Sequence, residues 1–139
     1  MSIIVDCSVA LAWYLPDESS LLADAALRAV ESQGASAPAH FKAEFANGLT
    51  MAVRRKRISS DFRTEVLQSL SDLGIDLDLG GMENVWTAVP ALADKYELTI
   101  YDALYLEQAL RQRQPLATLD KSLRRAAQSA GVTLFDMGA

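Results

Sequence analysis

Short apolar runs that end in an acid and pass at once into a helical pattern are the feature that most restricts what this chain can become. Ile3-Ile4-Val5 is a β-branched run suited to a buried strand, and Asp6 closes it where a helical pattern opens at Ser8 and runs to Tyr14. Leu116-Ala117-Thr118-Leu119 repeats the arrangement, with Asp120 at its end and a helix predicted from Ser122 to Ala130, capped by Gly131. Between them, Pro16 ends the first helix, a second is predicted from Ser19 to Val30, and the turn-rich stretch from Gly34 to Pro38 has room for a brief strand. Phe41, Phe45, Leu49 and Ala52 recur at helical spacing, which predicts an amphipathic helix from about Phe41 to Arg55, and another helix follows from Ser60 to Leu73. Ile75, Leu77 and Leu79 alternate with Asp76 and Asp78, the period of a half-exposed strand, and Gly80-Gly81 breaks it. Glu83 to Tyr96 reads as helical, with Pro90 either kinking one helix or starting a second at its first turn. Tyr101 to Arg113 is a further helix and Val132 to Phe135 a last strand. Strands separated by helices predict an α/β fold with a mostly parallel central sheet flanked by helices.

No repeat, low-complexity tract or linker divides the 139 residues, a length suited to a single domain spanning 1–139. With 50% hydrophobic residues the chain can fold around its own core, and the lone Cys7 cannot form an internal disulfide, which points to a reducing compartment. There is no basic leader and no apolar run near the ~20 residues a membrane span needs, so a cytoplasmic location without membrane attachment is expected. The net charge of −5 argues against coating nucleic acid by bulk electrostatics. Any such contact must be local or helped by a cation.

Open α/β sheets bind ligands at the carboxyl ends of their strands, which directs attention to Asp6 and Asp120. Each also suits a helix N-cap. Asp102 starts the buried stripe of its helix through Leu106 and Ala109, while Thr99 to Asp102 equally matches a capping box. Glu44 borders the Phe41, Phe45 and Leu49 stripe, where a carboxylate is partly desolvated and no Lys or Arg at helical spacing pairs with it; the alternative is a rim residue reaching out to water. Together the four suggest a cluster for a hard divalent cation, which prefers carboxylate oxygens and needs no histidine.

At these residues the chain resembles the PIN-domain family, and within it the VapC toxins of bacterial type II toxin–antitoxin pairs. The carriers are Ile-Ile-Val-Asp6-Cys-Ser8-Val, Ala-Glu44-Phe-Ala-Asn47-Gly-Leu, Tyr101-Asp102-Ala-Leu-Tyr-Leu and Ala117-Thr118-Leu-Asp120-Lys-Ser-Leu, in this order over nearly the whole chain. The resemblance implies a PIN-like three-layer fold and a metal-dependent endoribonuclease. Asp6, Glu44, Asp102 and Asp120 would surround one or two Mg²⁺ ions, with Mn²⁺ able to substitute. It also implies an RNA substrate, a homodimer and a small VapB-like antitoxin partner. Pro90 and Glu107 depart from the family pattern, the second standing where a small or apolar residue is usual.

Asp6 and Asp102 are expected as the principal ligands, Asp120 completing the set directly or through water and Glu44 ligating or orienting the water. Ser8, Asn47 and Thr118 can hold these acids by hydrogen bonds or serve as ordinary caps. Lys121, Arg124 and Arg125 can reach RNA phosphate or be plain surface charge. Arg54 to Arg57 reads as a solvated helix end. Of Trp13 and Tyr14, one is expected in the core and the other in a groove for an antitoxin helix. Cys7 reads as an inert small hydrophobe, and His40 as a helix start. A receiver domain would want a doubled acid where Asp6-Cys7 stands, an aspartyl phosphatase a second Asp at Ser8, and a Rossmann dehydrogenase a glycine fingerprint that is absent. A catalytically degenerate PIN scaffold and a housekeeping RNA-processing nuclease remain as alternatives.

Overall fold

The computed structural model describes residues 2–136. Its strands are β1 (Ile3–Val5), β2 (Ala35–Pro38), β3 (Asp76–Asp78) and β4 (Leu116–Ala117), all parallel, in the order β3-β2-β1-β4. The helices are α1 (Cys7–Tyr14), α2 (Leu21–Gln33), α3 (Phe41–Arg54), α4 (Ser60–Leu73), α5 (Ala88–Tyr96), α6 (Ile100–Gln112) and α7 (Lys121–Ala130). The chain therefore steps outward from β1 to β3 and then returns to β4 on the other side of β1. The switch point of the sheet lies between β1 and β4, where crossovers diverge and leave a crevice.

Alternation along β1 sets the three layers. Ile3 and Val5 point into a core shared with α1 to α4, including Phe41, Phe45 and Leu49, while Ile4 points into a second core with Tyr105, Leu106, Leu116 and Leu123. Helix α6 is buried from Ala103 through Ala109 because it lies across the sheet, its Gln108 amide donating to Ser36 of β2 at 2.9 Å. The small residues of β2, Ala-Ser-Ala-Pro, are poor strand formers but leave room for that approach. Gly48 serves the other layer. A Cβ there would come within 2.8 Å of Leu11 Cδ1, so a larger residue would push the end of that side chain aside where α1 and α3 pack.

Two expectations change in detail, and the alternative left open at Pro90 is decided for a second helix. The alternation at Ile75, Leu77 and Leu79 predicts apolar residues facing inward, yet on edge strand β3 Leu77 and Leu79 are exposed and Asp78 turns in. Arg111 of α6 explains this, hydrogen-bonding both Asp78 oxygens and also Glu107 at 2.9 Å. The span from Glu83 to Tyr96 is not one helix: a 3₁₀ turn at Gly80–Asn84 precedes α5, and Pro90 sits in the first turn of α5, where its missing N–H costs no helical bond. Val132 to Phe135 forms only a single bridge, Leu134 to Leu116, in place of a strand.

Candidate functional site

Four carboxylates gather near the carboxyl ends of β1 and β4, close enough to act on one another electrostatically. Asp6 follows β1 and caps α1, its Oδ1 accepting from Val9 N–H at 3.1 Å and from the Ser8 hydroxyl at 2.6 Å, and its Oδ2 from the Thr118 hydroxyl. Both hydroxyls are relays: Ser8 Oγ accepts from Leu119 N–H and Thr118 Oγ1 from Asp120 N–H, each at 3.0 Å. Asp120 caps α7 through Leu123 N–H at 2.8 Å, so the cap and the site are the same residue. Asp102 lies half-buried in the first turn of α6, its own N–H donated to the Thr99 hydroxyl at 3.1 Å.

Glu44 reaches the crevice from α3, in the opposite layer to α6. Its Oε1 accepts a 2.5 Å hydrogen bond from the Tyr105 hydroxyl, and His40 Nε2 stands 3.3 Å from the same oxygen. The His40 ring also packs edge-on to Tyr105 at 5.3 Å and near Tyr101 at 5.7 Å. Tyr105 and His40 were legible as neighbours of the acids, at i+3 from Asp102 and i−4 from Glu44, but neither was predicted to join the site.

The acids share one electrostatic environment. Burial, with Asp102 adding repulsion, pushes Asp6 up to about 6 despite its hydrogen bonds. Burial first and the Asp120 charge second raise Asp102; burial, Asp102 and Asp6 raise Glu44, against the Tyr105 hydrogen bond. His40 is lowered by burial and so gives Glu44 little positive charge at neutral pH. Among the described residues no Lys or Arg pairs with Asp6, Glu44, Asp102 or Asp120. One buried and three half-buried carboxylates that repel one another without a counter-charge suit a hard divalent cation in donor chemistry. Among the described residues no three His, Cys, Asp or Glu side chains stand close enough to hold an ion as they lie, so binding one requires side chains to close on it.

The surrounding residues divide. Ser8 and Thr118 hold Asp6, whereas Asn47 is exposed and its side chain makes no hydrogen bond with the described residues. Arg124 folds back to donate to the Thr118 carbonyl at 2.8 Å, beside Asp120; Lys121 and Arg125 are exposed. Arg57 leaves the basic run to bind Asp17 at 2.6 Å and Glu18 at 2.9 Å. Trp13 donates its indole N–H to the Ala23 carbonyl at 2.7 Å and Tyr14 packs edge-on to Phe45, so both aromatics are partly buried against the core. Burial, together with Glu44 and Asp6, pushes the Cys7 thiol up, which keeps it an unreactive thiol.

Comparison with known proteins agrees with this arrangement: the PIN-domain family profile matches residues 3–129. The chain belongs to the PIN-domain family. Its VapC-type character rests on Ribonuclease VapC3 of Pyrobaculum aerophilum, 31% identical over 123 residues, which are 88% of this chain and 92% of that one. A crystal structure of PAE2754 from Pyrobaculum aerophilum superposes with a TM-score of 0.62 at 23% identity, covering 91% of this chain and 86% of the other, and shows the shared PIN-like α/β fold. Among the described residues of this PIN domain no helix is long and apolar enough to cross a membrane.

Proposed function

We propose that this PIN domain is a metal-dependent endoribonuclease acting as the toxin of a VapBC-type pair, as a single cytoplasmic domain that forms a homodimer. The observation that carries the reading is the meeting of Asp6, Glu44, Asp102 and Asp120, from four separate parts of the chain, at the switch point of the sheet with no basic partner. The name of the VapC3 relative supports RNA as substrate.

Asp6, Asp102 and Asp120 would hold Mg²⁺ or Mn²⁺, with Glu44 as a further ligand or as the acceptor that orients the attacking water. A divalent ion there supplies a water of lowered pKa and offsets charge on the phosphoryl oxygens. Ser8 and Thr118 fix the Asp6 carboxylate from both sides, so its oxygens do not swing away when a substrate enters. Arg124, which donates to the Thr118 carbonyl beside Asp120, would meet an RNA phosphate and draw the anionic chain to the acids. The products would be 5′-phosphate and 3′-hydroxyl ends.

Expression of the chain alone in a bacterial host, beside its Asp6→Asn variant, tests the toxin reading. Arrested growth with the wild type only, relieved by a small partner protein encoded next to it, is expected. Equal growth of the two strains favours a housekeeping nuclease or a scaffold.

A further inference from the structure

Glu44 is held through one oxygen only. Tyr105 Oη and His40 Nε2 both approach Oε1, at 2.5 and 3.3 Å, while Oε2 accepts no hydrogen bond from the described residues. Tyr105 is 1% exposed, so its hydroxyl must find a partner inside the protein. A backbone carbonyl would serve a merely structural tyrosine. The partner is instead a carboxylate on α3, across the end of the sheet, and Tyr105 shares a face of α6 with Asp102, three residues earlier.

From this geometry we propose that Tyr105 is a positioning residue: its hydroxyl pins Glu44 Oε1 and so leaves Oε2 as the oxygen available to an ion that Asp102 would help to hold. One helix then supplies an acid of the site and fixes a second acid that belongs to the opposite layer. His40 closes the far side of Glu44 by packing its ring against Tyr105 and so narrows the positions the carboxylate can take. The inference rests on the reading of the acids as an ion site.

The test is Mn²⁺ binding, measured by calorimetry without RNA, on wild type, Tyr105→Phe, Glu44→Gln and the double variant, with a thermal melt of each in EDTA. Phe keeps the ring and removes only the hydroxyl. A loss of affinity on the order of 10-fold or more in Tyr105→Phe is expected. In the Glu44→Gln background the same change should add less than about 2-fold, since the two residues act as a unit. Wild-type affinity in Tyr105→Phe, or losses that add in the double variant, would overturn the positioning role even if the melt drops. A wild type that binds no Mn²⁺ overturns the ion-site reading itself and this inference with it.

Discussion

The hydroxyl of Thr118, fully buried just beyond β4, donates its hydrogen to Asp6 Oδ2 at the end of β1. Thr118 Oγ1 also accepts the Asp120 N–H at 3.0 Å, so one side chain ties together the two acids that flank the switch point. Thr118→Val keeps the shape and removes both bonds. Leaving a buried carboxylate short of a donor and an amide without an acceptor should cost about 1–3 kcal/mol in urea unfolding. Thr118→Ser should recover most of it. A Val variant as stable as the wild type would show that the relay contributes nothing.

Asp6 gives a prediction whose sign is opposite for stability and for activity. Its carboxyl is pushed from 3.8 unfolded to about 6 folded, so between these values the native state holds the extra proton. Its contribution is fully present below pH 4 and is lost as pH rises to 6, on the order of 3 kcal/mol in all. Asp102 and Glu44 are raised too and act in the same direction. Asp6→Asn, measured in EDTA at pH 7.5, should therefore melt several degrees above wild type and lose RNA cleavage. The wild type should gain stability on adding Mg²⁺, and the variant much less. A variant that melts lower in EDTA and keeps cleaving contradicts the assignment.

Arg111 holds the edge of the sheet to α6. Burial alone would raise Asp78, but the Arg111 hydrogen bonds and charge hold it below its ordinary value, and Glu107 pairs with the same guanidinium. Asp78 and Glu107 side chains are only 10% and 8% exposed, and Arg111 is 34% exposed. Arg111→Ala strands two nearly buried acids and, discounted for the partial exposure of the arginine, should cost about 2–3 kcal/mol. Glu107→Gln combined with Arg111→Met should cost less than Arg111→Ala alone. Equal losses would mean that the charges are not what matters.

What the sequence carried about this fold depended on local signals. Asp6 and Asp120 were legible because a strand end and an N-cap coincide in one residue, and the Phe41 to Ala52 stripe fixed the helix that carries Glu44. The inward turn of Asp78 was not legible, because its partner Arg111 is 33 residues away and only tertiary packing brings them together. The same holds for Tyr105 and Glu44, 61 residues apart. Periodicity predicted Leu77 as the inward residue since an edge strand's burial is decided by what covers it, and here α6 offers a guanidinium. The strand at Val132 to Phe135 shrank to one bridge because β4 itself is only two residues long.

The carboxylates at the switch point are proposed to cut RNA with a divalent ion. Cleavage of one defined RNA by wild type and Asp102→Asn, each with Mg²⁺, with Mn²⁺ and with EDTA, tests it most directly. The amide keeps the shape of the side chain, and the circular dichroism of the two proteins should match. Cutting by the wild type with either metal is expected, with none in EDTA and none by Asp102→Asn under any condition. Cleavage that survives the chelator, or Asp102→Asn cutting at the wild-type rate, would contradict it.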